Sequence, residues 1–283
     1  LQLSQRLIIY YQPKSPIAEA YRTLETNIKS SLLNKKPFTI MFTSSGLQEG
    51  KSITVANYAL ACAQSGGGER VVLIEADLRR PIVHRIFGLE QEPGLTDIII
   101  GRTTWQEAIR GTTDILLGDL DREKLLRLSG IENLKIIPSG IVPPNPLEII
   151  NSVRMAQLID ELKANFDIII FDCAPTLPVA DSLVLAPKVN GTIIVYRVGR
   201  TARGALKRTK LQLQAAGAQT LGVVLNDIRA AELEASDYYQ YYYRYYYGPD
   251  KEAKQFRPQN IIDKIRTAFT ITGRTKIPKK PSK

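Results

Sequence analysis

Phe38-Thr39-Ile40-Met41-Phe42-Thr43-Ser44-Ser45-Gly46-Leu47-Gln48-Glu49-Gly50-Lys51-Ser52 decides how this 283-residue chain is read. Phe38 to Thr43 has the apolar run of a buried strand, Ser44 to Gly50 reads as a loop, and a helical pattern follows from Lys51 to about Gln64. Gly50-Lys51-Ser52 completes the pattern G-x-x-x-x-G-K-[ST], with Ser45 in the first glycine position. A strand, a tight loop and a helix start turn main-chain N–H groups inward at the positive end of the helix dipole, an environment suited to phosphate. Nucleotide contacts are therefore expected from Ser45, Gly46, Leu47, Gln48, Glu49, Gly50, Lys51, Ser52 and Ile53. Lys51 would reach the β- and γ-phosphates of ATP, and the Ser52 hydroxyl would ligate Mg²⁺.

Two further strand ends carry acids. Ile168-Ile169-Ile170-Phe171-Asp172 places a carboxylate at the end of a buried strand, as in a Walker-B segment that holds the metal directly or through water. Val71-Val72-Leu73-Ile74-Glu75-Ala76-Asp77 places two there, on one face if the strand runs on. Beside Mg²⁺, Glu75 or Asp77 could accept the proton of an attacking hydroxyl. The expected catalytic residues are Lys51, Glu75, Asp77 and Asp172, and the expected metal ligands Ser52, Asp77 and Asp172.

Outward from these segments, Ile17 to about Leu33 reads as a helix capped by Ser15, and further helices are expected at Trp105–Ile109, Arg122–Leu128, Leu147–Ala164, Asp181–Ala186 and Ala202–Ala216. Leu134–Ile137, Asp167–Phe171, Gly191–Arg197 and Leu221–Asn226 read as strands. Continuous apolar strands alternating with helices predict an α/β fold, three layers around a mainly parallel sheet, with ligands at the C-terminal strand ends. The predicted organisation is a linker over 1–15, a P-loop domain over 16–230 beginning with the helix at 16–33, a tyrosine cluster over 231–249 and a basic tail over 250–283.

No stretch approaches the roughly 18 to 20 apolar residues that span a bilayer. Cys62 and Cys173 give no disulfide framework, which favours a reducing compartment. His84 is the one histidine and reads as a packing residue, so His-based nucleophile activation and multi-His metal sites are disfavoured. The net charge is +10, and residues 251–283 hold ten Lys/Arg against Glu252 and Asp263. The excess is thus a property of the tail, which argues against a nucleic-acid-binding fold. Ile261, Ile262, Ile265 and Phe269 lie at helical spacing around Lys264 and Arg266, a pattern that suits contact with anionic lipid; a solvated tail is the alternative. The chain starts at Leu1 rather than Met, and is expected to be a fragment of something longer.

Tyr238, Tyr239, Tyr241, Tyr242, Tyr243, Tyr245, Tyr246 and Tyr247 crowd eight of the thirteen tyrosines into ten positions. A folded element would turn alternate rings into water, whereas a phosphorylation substrate benefits from an exposed and redundant run. Together with the three strand-end segments, this tract resembles the bacterial tyrosine kinases of capsule and exopolysaccharide synthesis, relatives of the MinD/ParA ATPases. The resemblance runs from about Pro16 to Gly248. Glu75-Ala76-Asp77-Leu78-Arg79 stands where the family has D-x-D-x-R, and Glu19 and Arg22 match its oligomerisation helix, E-x-x-R-x-x-R. Pro143 to Pro146 and the helix after it also match. So does Val223-Val224-Leu225-Asn226, whose Asn226 is implied near the adenine.

The resemblance implies an ATP- and Mg²⁺-dependent autokinase that phosphorylates its tyrosine cluster in trans. It also implies a ring-like homo-oligomer, a membrane polysaccharide co-polymerase or sensor domain, a tyrosine phosphatase as partner, and a place at the cytoplasmic face of the inner membrane. Three positions depart from the pattern. Glu75 replaces an aspartate, Leu47-Gln48 replace Pro-Gly where a positive φ is costlier for glutamine, and Glu25 replaces an arginine of the oligomerisation helix. The alternatives that follow are a catalytically weak nucleotide-binding scaffold of an export complex, or a MinD/ParA-like ATPase.

Overall fold

A computed structural model describes residues 4–32, 36–111, 114 and 130–228. The helix expected at Arg122–Leu128, the tyrosine cluster and the basic tail lie outside the described residues. Among the described residues, β1 (Phe38–Ser44), β2 (Val71–Ala76), β3 (Leu134–Ile137), β4 (Ile168–Cys173), β5 (Gly191–Arg197) and β6 (Thr220–Asn226) form one sheet in the order β3-β2-β4-β1-β5-β6. Every pairing is parallel. Ile168 and Ile170 enter the core on one face, while Ile169 and Phe171 enter the core on the other. An unbroken apolar run is what burial on both faces requires, and it gives the three-layer α/β fold expected.

One face is covered by α1 (Ile8–Tyr11), α2 (Pro16–Ser31), α3 (Lys51–Gln64) and α4 (Val83–Ile86). The other carries α5 (Leu95–Ile99), α7 (Pro146–Asn151), α8 (Val153–Asn165), α9 (Asp181–Leu185) and α10 (Arg203–Ala215), with α6 (Trp105–Ala108) beside them. The segment read as a linker supplies Leu7, Ile9 and Tyr10 to the core, and the Asn57 side chain accepts from Ile9 N at 3.1 Å. The single helix expected over Leu147–Ala164 is two. Ser152 takes an extended backbone and its hydroxyl accepts from Met155 N at 3.0 Å, so it caps α8 instead of continuing α7. The connection after β1 leads to one side of the sheet and the connection after β4 leads to the other. The crevice between these neighbouring strands is the switch point where such sheets bind ligands.

α2 is pinned to the core by charge. Glu25 is turned inward and buried, where Lys29 pairs with it at 3.7 Å and with Glu69 at 2.5 Å. The Glu25 substitution thus faces the chain's own core and places no new charge on the exposed side of α2. Burial pushes the Glu69 carboxyl up, but hydrogen bonds from Lys29, Lys36 and Ser65 overcome this and hold it at about 2. A depressed carboxylate stabilises the fold above its unfolded pKa, and that contribution disappears as pH falls through the folded value. Glu69→Gln should therefore be less stable than the parent chain above about pH 5, with the gap closing towards pH 2. Urea melts across that range would show it, and a pH-independent gap would contradict it.

Candidate active site

The loop between β1 and α3 is anchored from several directions. Thr176 N donates to the Ser44 carbonyl at 2.8 Å, Arg197 to the Gln48 carbonyl at 3.0 Å, and the Asn226 amide to the Glu49 carbonyl at 2.8 Å. Within the loop, Gly46 N donates to Glu49 Oε1 at 2.5 Å. Gly50 has φ +87°, and a Cβ there would lie 1.9 Å from Asn226 Nδ2, so the glycine is required both by conformation and by space. Gln48 adopts φ +60°, in the left-handed region. That conformation costs a side chain about 1–2 kcal/mol, of which glycine's greater chain entropy would cancel about 0.5–1 kcal/mol. Gln48→Gly should raise the melting temperature by about 2 °C. A calorimetric scan showing a fall instead would refute the strain assigned here.

The loop borders a cleft of about 980 Å³. Gly46 through Ile53, Asp77 and Asn226 line it. Ser45 does not: it is buried, and its hydroxyl accepts from Thr209 of α10 at 2.9 Å. Lys51 also lines it but is only 7% exposed, with Nζ 2.5 Å from Asp172 Oδ1, 3.3 Å from Asp77 and 3.2 Å from the Ser52 hydroxyl. Burial opposes the charge of Lys51, but Asp172 and Asp77 outweigh it and hold its pKa above the ordinary value. Burial likewise pushes Asp172 up to about 6, against the pull of Lys51. The structure thus gathers Lys51, Ser52, Asp77 and Asp172 at one point.

Glu75 is not part of that cluster. It is fully buried, and its two oxygens are taken up by Val83 N, by His84 Nδ1 at 2.9 Å and by Ser139 N at 3.0 Å. β2 ends at Ala76, so the two-residue alternation that would align Glu75 with Asp77 stops before Asp77 is reached. Glu75 instead ties together α4, His84 and the loop after β3, and of the two acids Asp77 is the one that lines the cleft. His84, as expected, is a packed residue, here with a specific partner.

Several residues that shape the site carry no motif. Arg79 forms a two-pronged pair with the buried Asp181 at 2.6 and 3.0 Å and fixes the turn after Asp77. Thr43, Thr176 and Ser182 form a buried hydroxyl chain under the loop after β4. Thr209 and Arg197 brace the phosphate loop from α10 and β5. Glu19 and Arg22, the expected oligomerisation pair, bond to each other, and Arg22 also donates to the Pro13 carbonyl at 2.7 Å.

The donor set suits Mg²⁺. Among the described residues no cluster of three or more His, Cys, Asp or Glu could hold a metal, yet Mg²⁺ typically takes one or two carboxylates and completes its shell with water and substrate phosphates. Among the described residues, Asp172 Oδ2 is buried and has no hydrogen-bond partner, an arrangement that a cation would satisfy.

No family model matches the chain. Comparison with curated proteins is decisive. Tyrosine-protein kinase YwqD of Bacillus subtilis is 32% identical over 238 residues, covering 84% of this chain and 92% of that protein. The putative tyrosine-protein kinase CapB of Staphylococcus aureus is 33% identical over 237 residues, covering 84% and 94%. The chain belongs to the bacterial tyrosine-protein kinases. Among solved structures, the chimerical protein CapA2B2 matches this tyrosine kinase with a TM-score of 0.69 at 32% identity, over 81% of this chain and 92% of that one. The septum site-determining protein MinD from Pyrococcus horikoshii matches at 0.51 with 20% identity over 71% and 77%, a likeness of fold alone. The kinase domain thus shares a parallel α/β scaffold with that protein, and its activity is that of a protein-tyrosine kinase. Among the described residues no helix is long and apolar enough to cross a membrane.

Proposed function

We propose that this chain uses Mg·ATP to phosphorylate the tyrosines between Tyr238 and Tyr247 of a neighbouring copy, and that it serves capsule or exopolysaccharide synthesis at the cytoplasmic face of a membrane. The observation that carries the reading is the Lys51–Asp172–Asp77 cluster, whose Lys51 and Asp77 line the same cleft as the loop. With phosphates along Gly46–Ser52, Lys51 leaves its two carboxylates for the β- and γ-oxygens. Ser52 and Asp172 would hold Mg²⁺, which when bound offsets charge on the phosphates. A tyrosine Oη attacks the γ-phosphorus, the bond to the β–γ bridging oxygen breaks, ADP departs, and the hydroxyl proton passes to Asp77. Free tyrosine has a pKa of about 10, so a positioned base assists.

The partners proposed are a second copy meeting this one through Glu19 and Arg22 of α2, a membrane co-polymerase or sensor domain, and a phosphatase that resets the cluster. Asn226 braces the loop and borders the cleft, which suits a contact with the nucleotide base. Incubation with γ-labelled ATP separates this reading from its rivals. Label on the protein is expected; free phosphate alone would indicate a MinD-like ATPase, and neither product a nucleotide-regulated scaffold.

A further inference from the structure

The cleft is larger than its phosphate end. Besides the loop and Asp77, Arg6, Arg80, Arg85, Ile82 and Val142 line it. All three arginines are exposed, and none has a side-chain hydrogen bond or ion pair among the described residues. This sets them apart from Arg22, Arg70, Arg79, Arg154 and Arg197, each paired with a carboxylate. Arg80 N donates to Asp77 Oδ1 at 3.1 Å, so this arginine lies on the turn that carries the base. Ile82 and Val142 are 41% and 60% exposed, which gives the same cleft an apolar surface suited to an aromatic ring. Three exposed guanidiniums and two exposed apolar side chains lining one cleft with Asp77 suit an aromatic side chain flanked by negative charge.

The sequence supplies such a segment. Ala231-Glu232-Leu233-Glu234-Ala235-Ser236-Asp237-Tyr238-Tyr239 puts three acids immediately before the first clustered tyrosine. We infer that Arg6, Arg80 and Arg85 form an acceptor subsite that selects tyrosines preceded by acidic residues, with Glu232, Glu234 and Asp237 of another copy as its natural ligands. The inference rests on the kinase reading of the cleft and extends it to substrate choice. Exposed ion pairs of this kind each contribute modestly. Three acting together should change the KM of the acceptor by about tenfold, and the effect should shrink as salt screens the charges.

The test uses the intact chain as enzyme and two synthetic acceptors. One has the sequence of residues 230–243, and the other carries Glu232→Gln, Glu234→Gln and Asp237→Asn. The expected result is a KM about tenfold lower for the acidic peptide at similar kcat, with the difference lost in 0.5 M salt, where the Debye length falls to about 4 Å, and in an Arg80→Gln/Arg85→Gln variant. Arg80→Glu/Arg85→Glu, which makes the subsite net negative, should in turn favour a peptide whose three acids are replaced by lysine, a reversal that a purely structural role would not produce. Equal KM values for the two peptides with the parent enzyme would overturn the subsite and leave the kinase reading standing. So would a preference that persists in the variant, or a change confined to the KM for ATP, which would place the arginines on the nucleotide. Phosphorylation of neither peptide would remove the kinase reading, and this inference with it.

Discussion

Lys51→Met should abolish tyrosine phosphorylation, with a loss of at least about 100- to 1000-fold, the range found when one preorganised charge-stabilising group is removed from an active site. Methionine preserves the bulk and the apolar stem of lysine and deletes only the charge. That charge has two duties in this structure. It lies 2.5 Å from Asp172 and 3.3 Å from Asp77, and Lys51 opens the helix that follows the loop amides. Its removal also leaves two neighbouring carboxylates without compensation, one of them fully buried. Breaking such a pair from one side typically costs about 3–5 kcal/mol, relieved in part when Asp172, already raised to about 6, takes up a proton. The variant should therefore melt lower at pH 8 than at pH 6. That pH dependence, read by calorimetry alongside a phosphotyrosine blot, separates loss of catalysis from loss of fold. A blot unchanged from the parent chain would refute the role of Lys51.

The second large effect distinguishes two acids that the sequence presents as a pair. Asp77→Asn should lower kcat by about 100- to 10,000-fold, the usual worth of a positioned general base, while the fold survives. Asp77 borders the cleft, and asparagine keeps an oxygen for Arg80 N. Glu75→Gln should do the reverse. Its carboxylate is the junction of Val83 N, His84 and Ser139 N, and an amide can present only one acceptor oxygen to three partners. Leaving buried donors unmatched costs about 1–3 kcal/mol each. The expected outcome is a marked drop in melting temperature with kcat, measured well below that temperature, within a few-fold of the parent. If Glu75→Gln instead kept its stability and lost turnover, the base would have to be reassigned.

The contrast between these two residues shows what a linear sequence can and cannot reveal here. β1, its loop and α3 are legible because each step has a local cause: a continuous apolar run, a glycine at the one position with φ +87°, and a lysine and serine opening a helix. The order of the outer elements is legible for the same reason, since strand and helix periods alternate cleanly. The orientation of Glu75 depends on where β2 stops, and Ala76 and Asp77 differ too little in strand preference to mark that point. The break at Ser152 rests on a side chain choosing to cap rather than to continue, a choice settled by packing of α8. Thr209 and Arg197 reach the loop from elements more than a hundred residues away, and Arg79 and its partner Asp181 are 102 residues apart, so no spacing rule finds them. Glu25 reads on paper as a reversed charge on an exposed helix face, and only its partners Lys29 and Glu69 show that it points inward.

The central claim is that one cleft delivers the terminal phosphate of ATP to the chain's own tyrosine cluster. The most direct measurement mixes the parent chain with an isotopically heavy Lys51→Met chain, adds Mg·ATP, and maps phosphate on both by mass spectrometry. The account predicts phosphotyrosine within Tyr238–Tyr247 of the heavy chain, placed there by its active neighbour. A heavy chain that stays unmodified while the parent chain is labelled would contradict transfer between copies, and phosphate on neither chain would contradict the claim itself.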